Sequence, residues 1–339
     1  MDIKEIRENA RERMKGFCRI CRICDGTACA GEVPGMGGVG TGSSFKANVE
    51  SLSRIKLNLR TIHNATDPDI SCEFFGYKLS MPIFAAPVTG MSYNCGGYLT
   101  EEEYGKIVAS ACKDLNTVYM NGDGGNPVFY KAGLNAIKET GVLGIPIVKP
   151  RENSEIITRI KWAEEANCIA AGVDVDGAGL VTMSLMGQKV SPKTVEELKE
   201  VVNSIKLPFI LKGIMTVDEA EKAVEIGAKA IVVSNHGGRI LDSTRGVADV
   251  LPDIVKAVKG KITILADGGI RSGIDFLKLL ALGADAVLIA RPVIIGAIGG
   301  GVDGVKTVMK KMADELYQAM ILTGCRNIKE IDDRIIYRD

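Results

Sequence analysis

From about Met81 onward, short apolar runs alternate with stretches in which alanine, leucine and isoleucine recur at helical spacing against charged positions. The apolar runs predict strands at Pro82–Pro87, Thr117–Met120, Ile145–Val148, Ile169–Val173, Phe209–Leu211, Ala230–Val233, Thr263–Ala266 and Ala286–Ile289. Between them, helices are predicted over Glu101–Leu115, Ser154–Ala166, Val195–Ile205, Val217–Ile226, Val247–Val258 and Gly273–Leu282. Gly227-Ala228 and Gly283-Ala284, each just ahead of a strand, fit a helix stopped by glycine and a short loop. Repeated strand–helix units of this kind predict an α/β fold, a closed parallel TIM (β/α)8 barrel. An open doubly wound sheet competes, but no Gly-x-Gly-x-x-Gly follows the first strand. The barrel is expected over residues 51–339. Residues 1–50 form an extension that starts with the charged helical pattern Met1-Asp2-Ile3-Lys4-Glu5-Ile6-Arg7 and continues rich in cysteine and glycine.

Length alone allows two domains in 339 residues, but barrels exceed the usual domain size as one unit. The 46% apolar content suffices for one large core. Basic and acidic residues balance at 42 each with no long basic block, which argues against a nucleic-acid partner. Apolar runs such as Val287-Leu288-Ile289-Ala290 are too short to span a membrane, and the charged start is unlike a signal peptide. A cytoplasmic location is therefore the expectation. The nine cysteines are then expected as thiols or metal ligands, with Cys112, Cys168 and Cys325 packed as small hydrophobes.

A barrel gives meaning to the polar residues at strand ends, because active sites of this fold lie at the carboxyl ends of the strands. Thr89, Lys149, Asp174, Lys212, His236, Asp267 and Arg291 would ring one mouth. His236, one of two histidines, follows Ala230–Val233 within Ser234-Asn235-His236-Gly237-Gly238-Arg239. An imidazole there is a proton acceptor near neutral pH, and Arg239 offers a planar fork for a carboxylate. That pairing suggests an enzyme acting on a small organic acid. Asp267-Gly268-Gly269-Ile270-Arg271 follows the seventh strand and Ala290-Arg291 the eighth. Glycines that free backbone N–H groups, with two arginines, make a phosphate cradle where barrels commonly hold one.

These motifs, with Leu211-Lys212-Gly213-Ile214, Leu241-Asp242 and Arg291-Pro292, resemble the FMN-dependent α-hydroxy acid dehydrogenases and oxidases. The family includes lactate oxidase and glycolate oxidase. The likeness is strongest from Phe209 to Ile331 and extends more weakly to Met81–Pro87. It implies FMN as cofactor and oxidation of a small L-2-hydroxy acid, L-lactate first, to the 2-oxo acid. His236 would be the base and Arg239 the carboxylate anchor. Asp174 would orient the base, with Asp176 the alternative. Lys212 would meet the flavin N1–O2 edge, Pro87, Val88 and Thr89 would line the ring, and Ser234 would lie near its pyrimidine side. Asp267, Gly268, Gly269, Ile270 and Arg271, with Ala290 and Arg291, would hold the ribityl chain and phosphate. Family members are often tetramers, so a homo-oligomer is expected.

The chain also departs from the family. Lys149 stands where a tyrosine usually follows the third strand, and the second substrate arginine falls near Val181. No tyrosine occurs in the first 76 residues. Arg239 with Lys149 would then grip the carboxylate.

Cys18-x2-Cys21-x2-Cys24-x4-Cys29 has a spacing that suits zinc or an iron–sulfur centre, and neither is favoured. A cluster there would pass electrons from the flavin to a redox partner, in place of oxygen. The glycine-rich run Pro34–Gly42 lacks the Gly-Lys-Ser/Thr ending of a phosphate loop and suggests a lid or linker. His63 is expected at the surface and Trp162 in helix packing. Two other functions suit a flavin barrel: a non-redox isomerase of the type 2 isopentenyl diphosphate isomerase kind, and an inactive flavin- or metal-binding sensor.

Overall fold

The computed structural model describes residues 1–337. Its strands are β1 (Ile83–Val88), β2 (Val118–Asn121), β3 (Leu143–Val148), β4 (Ala171–Asp174), β5 (Phe209–Ile214), β6 (Ala230–Val233), β7 (Thr263–Ala266) and β8 (Ala286–Ile289). They run parallel and close in chain order, β8 pairing with β1. The last three strands coincide with the predicted runs. The others shift at one or both ends: β5 gains Lys212, in register opposite Val232 of β6, and, across a bulge, Gly213 and Ile214, with Ile214 opposite Val233.

The apolar runs lack strict alternation because both faces of each strand are buried. In β6, Ala230 and Val232 fill the barrel interior with Phe84, Met120, Ile210 and Leu288. Ile231 and Val233 of the same strand pack outward against the helices. Each such aliphatic side chain stabilises the fold by about 1.5–3 kcal/mol. A hairpin, Cys72–Phe74 with Tyr77–Leu79, sends Phe74 and Leu79 into the interior cluster, Phe74 edge-on to Phe84 at 5.1 Å.

Helices cover the outside. Thr100 and Thr194 start two of them with capping boxes on Glu103 and Glu197. Pro127–Thr140, capped by Asn126 with proline in its first turn, is a helix that the apolar spacing did not single out. So is Arg291–Thr323, which breaks at Gly300 and Gly301. Among the described residues, this helix alone is long and apolar enough by length and composition to cross a membrane. Half of its most apolar stretch is buried in the protein, as in a core helix.

The amino-terminal residues are part of the same body. Helix Ile3–Arg13 lies on the long helix, where Arg13 donates to the Ile298 carbonyl at 2.7 Å. The boundary expected at residue 50 falls inside helix Ser43–Arg54, which packs beside Val247–Val258. Between these two helices, the cysteine- and glycine-rich segment crosses the barrel mouth.

Candidate active site

The loop after β6 sets the site. His236, Gly237 and Gly238 take φ angles of 57°, 65° and 79°, so three left-handed residues curl the chain and turn the imidazole into the mouth. Such a conformation costs a histidine roughly 1–3 kcal/mol. The His236 N–H, donating to Ser234 Oγ at 3.0 Å, helps hold it. A side chain at Gly238 would meet the Phe45 backbone nitrogen at 2.4 Å, so only glycine lets helix Ser43–Arg54 approach this loop.

His236 Nδ1 lies 3.1 Å from Asp176 Oδ2 and 3.9 Å from Asp174 Oδ2. The partner is therefore Asp176, not Asp174 as the sequence suggested. Asp174 ends β4 opposite Lys212 of β5, and its Oδ2 accepts a 2.5 Å hydrogen bond from Lys149 Nζ. Asp176 sits in the 3₁₀ turn Val175–Gly179, which carries it round to the imidazole. The bulge in β5 makes room: a side chain at Gly213 would lie 2.5 Å from Asp176 Cγ. Lys149 lines the cavity, but its ammonium is engaged by Asp174 rather than free beside Arg239.

Lys212 Nζ donates to Ser234 Oγ at 3.0 Å and faces Asp267 Oδ2 at 3.5 Å. Ser234 is fully buried, its hydroxyl shared by Lys212 and the His236 N–H, and it stands behind the cavity wall. Three carboxylates (Asp174, Asp176, Asp267) thus meet two ammonium groups (Lys149, Lys212), and the surplus negative charge is cancelled when His236 binds a proton. Burial pushes the imidazole below its ordinary 6.5, with Asp176 opposing, so the resting ring is a neutral acceptor. Burial would raise Asp176, but His236 and Lys212 hold it below the usual carboxylate range. Asp174 goes the other way, burial lifting it against the pull of Lys149. Burial also disfavours the charge on Lys212, yet Asp267, Asp176 and Asp174 keep its pKa above the ordinary lysine value.

One cavity joins these groups to both ends of the site. Pro87, Val88 and Thr89 form one wall, and Gly268, Gly269, Ile270, Arg271, Ala290 and Arg291 form the far end. Ser272 caps helix Gly273–Ala281, and Asp275 accepts from the Arg271 N–H at 2.9 Å, which fixes that loop. Arg291 stacks on Phe45, 3.9 Å from the ring centre, and donates to the Met36 carbonyl at 3.0 Å. Burial, then Arg271 and Arg239 nearby, pushes its guanidinium down to about 9. This end gathers positive charge that an anion would relieve.

Arg239 donates through Nη1 to the carbonyls of Gly35 at 2.5 Å and Gly37 at 3.2 Å, and through Nη2 to Asn94 Oδ1 at 3.0 Å. The glycine-rich run is therefore docked on the mouth. Tyr93 and Asn94, from the short helix Met91–Asn94 after β1, also line the cavity, and sequence reasoning missed both. Their only signal was a position shortly after a barrel strand. Burial and Glu101 raise the Tyr93 hydroxyl well above its ordinary value, so it remains a donor.

Cys18, Cys21, Cys24 and Cys29 are free thiols lining a second cavity behind Arg271 and Arg291. Cys112, Cys168 and Cys325 are buried. His63 is exposed, as expected, and Trp162 packs under Lys131 at 4.5 Å.

Residues 35–182 and 146–338 match the FMN-dependent dehydrogenase family. The chain belongs to the FMN-dependent α-hydroxy acid dehydrogenases and oxidases. This flavoenzyme is 33% identical to an L-lactate oxidase from Nostoc sp., over 89% of its own length and 92% of the relative's. It is 32% identical to 4-hydroxymandelate oxidase from Amycolatopsis orientalis, over 86% and 89% of the two chains. It also resembles the crystal structure of mandelate oxidase with (S)-2-phenylpropionate, with a TM-score of 0.80 and 29% identity over 99% of this chain and 97% of that one.

FMN is the cofactor of this family, and the flavoenzyme's residues fit it. Arg271 Nη2 and Asp267 Oδ1 are buried without a partner at the end where the phosphate and ribityl chain would lie. Pro87 and Val88 offer an apolar wall that suits a flavin ring, and Lys212 lines the same cavity.

Proposed function

We propose that this flavoenzyme oxidises a small L-2-hydroxy acid, L-lactate first among them, to the 2-oxo acid. The reading rests above all on His236, held by Asp176 and sharing one cavity with Arg239. FMN, when bound, supplies the two-electron acceptor. Arg239 anchors the substrate carboxylate. Its bonds to Gly35, Gly37 and Asn94 leave Nε–H and one Nη2–H, an edge that takes a carboxylate side-on.

His236 accepts the proton. Asp176 occupies Nδ1, which leaves Nε2 for the substrate hydroxyl. The imidazolium that forms cancels the surplus negative charge of the cluster. Lys212 stays protonated among its three aspartates and provides fixed positive charge beside the ring position. Tyr93, Leu180 and Met183 line the same cavity as Arg239 and are the side chains a substrate would meet there. The mandelate-acting relatives support a longer substrate.

An anaerobic visible spectrum tests the reading. L-Lactate is expected to bleach the flavin bands, and His236→Ala to keep the flavin while slowing bleaching by about 10²-fold or more. Faster bleaching by L-mandelate or glycolate would change the substrate, and no bleaching by any 2-hydroxy acid would remove the function.

A further inference from the structure

The four amino-terminal cysteines are left unused by this chemistry. Cys18, Cys21, Cys24 and Cys29 line one cavity of 550 Å³, large for a single ion. That cavity and the flavin cavity share a wall made of Met36, Gly269, Arg271, Arg291 and Pro292. One layer of side chains therefore separates the thiols from the phosphate end of the cofactor site.

The surroundings are built rather than loose. Arg7 donates to the Cys21 carbonyl at 2.7 Å, and Arg271 to the Cys24 carbonyl at 3.2 Å. Arg7, Arg19, Arg22, Arg271 and Arg291 face the same space, against Asp25 and Asp275. A centre held by four thiolates is anionic, and this shell suits it.

Geometry separates the two occupants that the spacing left open. Tetrahedral zinc, with Zn–S bonds of about 2.3 Å, requires sulfurs less than about 4 Å apart. Among the described residues, no three cysteine sulfurs come within 4.8 Å of one another. A four-iron cluster binds each thiolate to a different iron and so keeps the sulfurs farther apart.

We propose that Cys18, Cys21, Cys24 and Cys29 hold a four-iron, four-sulfide cluster that carries electrons from the flavin to an external one-electron acceptor protein. The inference rests on the 2-hydroxy acid reading for the source of electrons, but not for the cluster itself. Oxidation of one hydroxy acid releases two electrons and two protons. The cluster takes the electrons one at a time and hands each to an acceptor, while the protons leave to water. An oxygen-independent dehydrogenase results.

The test uses full-length protein purified anaerobically. About four iron and four acid-labile sulfide per chain are expected. L-Lactate should bleach the flavin and then produce the low-temperature electron paramagnetic resonance signal of a reduced cluster. The double variant Cys21→Ser/Cys24→Ser should lose the iron and the signal, whereas Cys72→Ser should keep both. One zinc per chain, or no metal, would overturn the proposal. Iron that L-lactate never reduces, in protein whose flavin bleaches, would overturn the electron path. Iron present with a flavin that no 2-hydroxy acid bleaches would leave the cluster standing and remove the substrate reading instead.

Discussion

His236 and the two aspartates beside it show how much chemistry depends on which atom faces which. Asp174 and Asp176 are chemically the same, yet one neutralises Lys149 and the other holds Nδ1 of the base. Asp176→Asn is therefore expected to slow flavin reduction by about 10²-fold. It should also move the acid limb of kcat/KM to lower pH, because the lost carboxylate was raising the imidazole against burial. Asp174→Asn should leave that limb closer to the wild-type position. In the wild type, burial keeps His236 neutral below its ordinary 6.5. Flavin reduction is thus expected to stay constant from neutral pH down to about 6.5 and fall only in more acid solution. Stopped-flow reduction at a series of pH values measures both effects, and a limb above 6.5 would contradict the assignment.

Among the elements, the amino-terminal segment does most to complete the mouth. Asp242, in the loop after β6, accepts from the N–H and hydroxyl of Thr41 at 2.6 and 2.7 Å and from those of Ser43 at 3.0 and 2.6 Å. The Ser43 and Thr41 hydroxyls hold this carboxylate well below the usual range. A depressed carboxylate adds stability above its ordinary pKa, and that stability is lost as pH falls towards the native value. Asp242→Ala should lower Tm at neutral pH and speed amide exchange over residues 39–48. The gap in Tm between wild type and variant should narrow in acid. An unchanged exchange rate would mean that other contacts hold the segment, such as Val39 N–H to the Gly238 carbonyl at 2.9 Å.

For the molecule as a whole, the cofactor is expected to act as a structural ligand. Arg291, Arg271 and Arg239 crowd their charges at one end of the cavity, with burial and mutual repulsion disfavouring the Arg291 charge. FMN at 100 times its Kd should stabilise the folded chain by about 2.7 kcal/mol, read as a rise in Tm. Inorganic phosphate should raise the Tm of flavin-free protein by a smaller amount. Neither ligand moving Tm would mean that this cavity does not bind the phosphate.

By itself, the sequence determined the barrel and much of the ring of polar residues at its mouth. Both arise from local pattern: apolar runs of strand length, helical spacing between them, and a polar residue where each run stops. β6, β7 and β8 stand where the runs place them, and His236, Asp267 and Arg291 line one cavity. Features that depend on side-chain direction or on distant contacts were decided by tertiary structure alone. Asp174 and Asp176 differ only in how a 3₁₀ turn aims them. Tyr93 and Asn94 reach the cavity through a short helix that carries no spacing signal. Lys212 lies within β5 because it pairs in register with Asp174 of β4 and Val232 of β6, contacts that an apolar run ending at Leu211 does not encode. Thr41 and Asp242 meet across 201 residues of chain, and no local pattern encodes a contact that exists only after the barrel has closed.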